Sequence, residues 1–127
     1  MLINTPVSLG ELVDKISILI VKQRNITDQK KLNQVNKELN FLNETLNKHV
    51  TKDEINSYMN DLIDINSKLW VIEDDIRDCE KNKQFDEKFI ELARNVYFTN
   101  DKRANLKLEI NKNFGSELVE VKSYEKY

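Results

Sequence analysis

The sequence predicts an all-α fold, an antiparallel helical bundle or long helical hairpin of about four helices with an extended C-terminal tail. Three observations lead there. Two Gly and one Pro in 127 residues leave few turns for a β protein. Apolar residues recur at spacings of three and four, with almost no strand-type alternation. Cap residues stand ahead of several of the periodic stretches. The length suits a single domain, 1–127, with the tail beginning at about residue 116.

The first helix starts sharply. Ser8 and Glu11 form a capping box, Val7 and Leu12 occupy its staple positions, and Pro6 keeps the preceding residues extended. Leu9, Leu12, Val13, Ile16, Leu19 and Ile20 give the apolar face, and the helix runs to about Arg24. A second helix runs from about Asp28 to His49, where Leu32, Val35, Leu39, Leu42 and Leu46 form a narrow heptad seam. Its remaining faces are Asn, Lys and Glu; Asn is a poor helix former, so packing must hold it. Thr51 and Glu54 make a second capping box, with Val50 and Ile55 as its staple. Ile55, Tyr58, Leu62, Ile65, Leu69, Ile72, Ile76 and Cys79 then continue a seam through a helix that nothing interrupts from Lys52 to Lys83. Asp86 caps the fourth helix, with Phe85 and Ile90 as the expected staple, and Gly115 supplies a left-handed stop. Leu118, Val119 and Val121 suit the tail to packing as an extended segment.

Composition excludes several functions. Twenty basic against 22 acidic residues give a net charge of −2, without the basic surplus of a general nucleic-acid binder. Mean hydropathy is −0.62 and no apolar run is longer than Ile18 to Val21, far short of a membrane span. Met1–Leu2–Ile3 lacks the start of a signal peptide, so a cytoplasmic location is expected. One Cys and one His make neither a disulfide framework nor the usual zinc site. No phosphate loop, nucleophile elbow, CxxC or HExxH motif occurs. No metal or cofactor is expected.

The informative feature is a set of polar residues at core-facing angles. On the third helix the face of Leu62 and Leu69 also holds Asn66, Glu73 and Glu80, with Arg77 on its flank. On the fourth, the face of Phe89 and Val96 continues through Asn100, Arg103 and Lys107. The first helix carries Glu11, Lys15 and Lys22 beside its apolar face. Arg is scarce, four against 16 Lys, so Arg77 and Arg103 point to guanidinium geometry. An antiparallel pairing of the last two helices brings the clusters together, with direct Glu73–Arg103 or Asn66–Arg103 contacts expected. The cluster Glu73, Arg77, Glu80, Asn100, Arg103, Lys107, Lys15 and Lys22 has three readings: a partly buried ion-pair network or a long helix end that leaves the bundle and is solvated, an anion pocket with Glu73 or Glu80 as proton-transfer group, or a protein interface.

Other residues carry simpler expectations. His49 suits a helix C-terminus. Cys79 continues a seam as a buried thiol, and Trp70 is a core or helix-contact residue, or a stacking or partner site if exposed. Glu73, Asp74, Asp75 and Asp78 spread around the helix as a solvated face. Phe98, opposite Tyr97, marks an oligomer contact or cover by the tail.

Four stretches, PVSLGELVDKISIL (6–19), LWVIEDDIRDCE (69–80), FIELARNVYFTNDKRANLKLEIN (89–111) and GSELVEVKSY (115–124), resemble an uncharacterised family of small helical proteins of bacteria and phages that has no assigned activity. The resemblance points to Glu11, Asp14, Lys15, Trp70, Glu73, Asp74, Arg77, Glu91, Arg94, Asn100, Asp101, Arg103, Lys107 and Lys122–Tyr124. The stretch ELVDKISILIVKQRNI (11–26) is more remotely similar to the first helix of all-helical chorismate mutases, an analogy of architecture. That class's Asp-x-x-Arg-Glu stretch and closing Gln are not placed here.

The expected function is a non-enzymatic helical interaction or assembly module, homo-oligomeric and preferably a homodimer, with coiled-coil-like seams. The alternative is a small helical enzyme or binding protein for an anionic carboxylate or phosphate metabolite. Membrane and nucleic acid are not expected partners.

Overall fold

A computed structural model describes all 127 residues as four helices: α1 (Leu9–Asn25), α2 (Gln29–Asn47), α3 (Lys52–Lys81) and α4 (Glu87–Phe114). There are no strands, and residues from Ser116 onward form an extended tail. The sequence-derived boundaries hold to within two residues.

Three free backbone donors in the first turn of α1 find partners outside the helix ladder. Leu9 N–H donates to Ser116 Oγ (3.2 Å), Gly10 N–H to Asn111 Oδ1 (2.7 Å) and Glu11 N–H to Ser8 Oγ (3.1 Å). Two of these three acceptors lie about a hundred residues away, so capping α1 also ties it to the end of α4. The Glu11 carboxylate does not close the expected capping box; it is drawn off by Lys107. The α3 cap follows the sequence, with Thr51 Oγ1 accepting from Glu54 N–H, and Asp86 caps α4 by accepting from Phe89 N–H. The expected Phe85–Ile90 staple does not form a buried pair: both are about half exposed, and Phe85 instead meets Phe89 edge-on. Gly115 adopts φ +66 and ends α4.

Helix α1 is the hub and packs against all three others. Lys15–Glu38 and Gln23–Asn36 contacts run it antiparallel to α2. Gly10 beside Asn111 and Asp14 beside Arg103 run it antiparallel to α4. Helices α3 and α4 form the antiparallel hairpin expected from their short connection, with Tyr58 near Phe114 and Asn113 at its base. The core is Leu12, Val13, Ile16 and Leu19 of α1 with Val35, Leu39 and Leu46 of α2, Ile55 and Leu62 of α3 and Ile110 of α4.

The hairpin outruns α1. From Val71 to Phe98 only Cys79 is fully buried, the seam thiol expected from its spacing. This explains why Glu73 and Glu80, on the core-facing arc of α3, are exposed: α1 ends at Asn25 and leaves that part of the arc uncovered.

Gly10 marks the tightest crossing. A Cβ there would sit 2.4 Å from the Lys107 carbonyl oxygen and 2.9 Å from Asn111 Oδ1. Backbone cannot yield as a side-chain tip can. Gly10→Ala is expected to lower unfolding free energy by about 2 kcal/mol, read as a lower urea midpoint.

Candidate functional site

The second buried stripe of α1 builds the site. Gly10, Asp14, Ser17 and Val21, spaced four, three and four, are all buried and face α3 and α4. Asp14 is 1% exposed, and a carboxylate so deep needs compensation from several sides. Arg103 of α4 supplies most of it through a two-pronged pair, Nε to Oδ1 at 2.9 Å and Nη2 to Oδ2 at 2.5 Å. Asn66 of α3 donates to Asp14 Oδ1 (3.0 Å) and to Ser17 Oγ (2.7 Å). Ser17 in turn donates to the Asp14 carbonyl (2.6 Å). One carboxylate thereby joins three helices.

Lys107 forms a second knot one turn along α4. Its side chain is 8% exposed, and Nζ lies 2.8 Å from both Glu11 and Glu120 and 3.9 Å from Asp14. Burial opposes its charge, but the carboxylates of Glu11 and Glu120 outweigh that and raise its pKa above the ordinary value. The hydrogen bond to Asp14 raises Arg103 in the same direction, against burial. Glu120 is lowered, first by its hydrogen bond to Lys107.

Glu120 belongs to the tail, which Lys107 latches against α4. Farther along, Tyr127 donates to Asp101, a contact that pushes its phenol up to about 12. Its ring also meets Tyr97 and Phe98. The cover by the tail expected for Phe98 is present. Arg94 lies 5.7 Å from the centre of the Phe98 ring.

The predicted eight-residue cluster therefore divides. Glu73 and Asn66 do not pair with Arg103 directly, because Asp14 stands at the meeting point and takes both Asn66 and Arg103. Of the two residues expected opposite Arg103, Asn66 is the one that shares the Asp14 carboxylate with it. Arg77 pairs with Glu73 on the exposed surface of α3 (3.3 Å). Glu80 pairs with Lys83 at the hairpin tip. Lys15 faces Glu38 on the α2 side, and Lys22 enters no ion pair. Sequence reasoning from the wheel missed Asp14, Ser17, Asn111 and Glu120. The 4-3-4 stripe of Gly10, Asp14, Ser17 and Val21 was the available signal for the first two; nothing local marks Asn111 or Glu120.

An open groove of about 490 Å³ lies between α1, α3 and α4, at the point where α1 runs out. Asn66 and Arg103 contribute from the buried network. Ile18, Val21 and Leu69 provide apolar wall, and Trp70, half-buried, stands beside them. Glu73, Asp74 and Arg77 of α3 and Asn100 of α4 complete the lining. Arg103 retains 27% side-chain exposure, so guanidinium donors beyond the Asp14 pair remain accessible.

No protein-family model, curated protein or solved structure matches this chain. No helix is long and apolar enough to cross a membrane.

Removing the buried carboxylate should be costly. Asp14→Ala leaves Arg103 without its counter-ion and is expected to lose about 3–5 kcal/mol by urea denaturation. Adding Arg103→Met should recover part of that loss, since no unpaired charge is then left inside. The latch responds to acid. Because the pKa of Glu120 is depressed on folding, its contribution is present above the ordinary value of 4.5 and is lost as pH falls through the lowered one. Greater backbone mobility of residues 117–122, read as lower heteronuclear NOE values as pH drops to about 3, with α1 still ordered, is the expected result.

Proposed function

We propose that this protein is a small-ligand binding module whose site is the groove between α1, α3 and α4. The observation that carries this reading is the position of Arg103. A sealed carboxylate fixes its guanidinium in two-pronged geometry, while its remaining donors border an open, partly apolar groove. Such a fork is organised before any ligand arrives, which reduces the entropy cost of binding. Binding is favoured over catalysis by the lining chemistry. No Cys, Ser, His or Lys borders the groove, which leaves the exposed carboxylates of Glu73 and Asp74 as its only nucleophilic or proton-transfer groups.

The expected anion pocket needs one change. Arg77, Arg103, Lys107 and Lys15 each face a carboxylate of this chain, so they do not converge as free cations. The groove is instead a mixed polar site.

Thermal shift with a panel of phosphates, carboxylates, amino acids and sugars tests the reading. At a ligand concentration of 100 Kd the stabilisation is about 2.7 kcal/mol, a shift of several degrees. Glu73→Gln and Asn100→Ala, outside the Asp14 network, should reduce it. A panel in which nothing stabilises the protein overturns the proposal.

Self-association is a second reading, favoured by the hairpin beyond α1. Val71, Phe85 and Ile90 are each about half exposed there. The uncovered part of α3, from Trp70 to Lys81, is about 17 Å long by helical rise. That face is too short for a standard interface of about 800 Å² per partner, so pairing of two copies there is weak and concentration-dependent. Light scattering should show mass rising with concentration; a strict monomer throughout removes this reading.

A further inference from the structure

The groove's cations are each compensated by a carboxylate of this chain, and this restricts what it can hold. Arg103 is neutralised by Asp14 and Arg77 by Glu73, leaving Asp74 without an ion pair. An anionic ligand therefore meets no uncompensated cation, and its charge is desolvated without return. What remains are directional donors and acceptors. Arg103 keeps spare N–H groups. Asn66, though 6% exposed, spends only its amide N–H₂ on Asp14 and Ser17. Its carbonyl oxygen accepts no hydrogen bond from the protein, yet no buried side-chain acceptor is left without a partner, so that oxygen is open to the groove it lines. Asn100 offers both a donor and an acceptor, and Glu73 offers acceptors.

We propose that the groove binds a neutral six-membered ring bearing adjacent hydroxyls, a pyranoside, with its C–H surface against Trp70 and its hydroxyls on Arg103, Asn66, Asn100 and Glu73. Each hydroxyl is both donor and acceptor, so adjacent pairs match the planar two-atom edges of guanidinium, amide and carboxylate. The indole supplies rigid apolar area for the ring's C–H groups. The proposal rests on the groove-binding reading and names its ligand class.

Trp70 is the only tryptophan and borders the groove, so its emission reports on this site. The wild-type protein is titrated with methyl glucopyranoside, methyl galactopyranoside and N-acetylglucosamine, then with glucose 6-phosphate, glucuronate and leucine. A saturable emission change is expected with at least one neutral sugar, with weaker binding of its phosphorylated or carboxylated counterpart. Glu73→Gln and Asn100→Ala should each weaken that sugar about tenfold while leaving the melting temperature of the free protein unchanged. Calorimetry on Trp70→Phe and Trp70→Ala separates reporter from wall: Phe should retain most of the affinity and Ala lose it. Saturation by charged probes or leucine alone overturns the pyranoside class but preserves the groove as a binding site. Sugar binding that is indifferent to both rim substitutions places the sugar elsewhere and overturns the proposal. No response to any neutral sugar at tens of millimolar overturns it as well.

Discussion

A single buried carboxylate organises this molecule. Asp14 enters the interior on α1 and can be tolerated there only if α3 and α4 bring hydrogen bonds to it. Asn66 does so from α3 and Arg103 from α4, and Lys107 adds charge from one turn away. The requirement is geometric as well as energetic. A two-pronged Arg–carboxylate pair holds only over a narrow range of positions, so it fixes how α4 is rotated and displaced relative to α1. Apolar packing alone tolerates sliding more readily.

The same constraint explains the choice of residue. In a chain with 16 Lys and four Arg, Arg103 stands where a planar fork is used and Lys107 where one ammonium serves several carboxylates. Arg77 makes a single-sided pair on the surface, where ion pairs contribute little. The two arginines singled out by position thus play different parts: one sets helix register, the other furnishes a groove rim.

The tail follows from these contacts as well. Lys107 already lies against Glu11 and Asp14 when Glu120 reaches it, so the tail docks onto a site that the helices have built. Ser116 Oγ then completes the capping of α1. The two ends of the chain meet at one buried knot, and the extended segment gains order without a strand or helix of its own.

The helices themselves were legible in the sequence, because start signals and 3-4 spacing are local properties of a chain. Ser8, Thr51, Asp86 and Gly115 act where their chemistry places them. The antiparallel hairpin was legible too: a short connection forces residues at equal distances from it to meet, which left Asn66 or Glu73 as the residue opposite Arg103. The centre of the site was not. Asp14 lies on a second stripe of α1, and a wheel cannot tell a polar residue facing two helices from one facing water. Glu73 and Glu80 show the converse error, since their arc is core-facing only where a third helix covers it. Length, helix positions and the antiparallel hairpin were therefore determined by sequence alone. Which charges are buried, and which carboxylate takes Arg103, was decided only when α1 came to lie between α3 and α4 along part of their length, because burial is a property of neighbours and not of a residue.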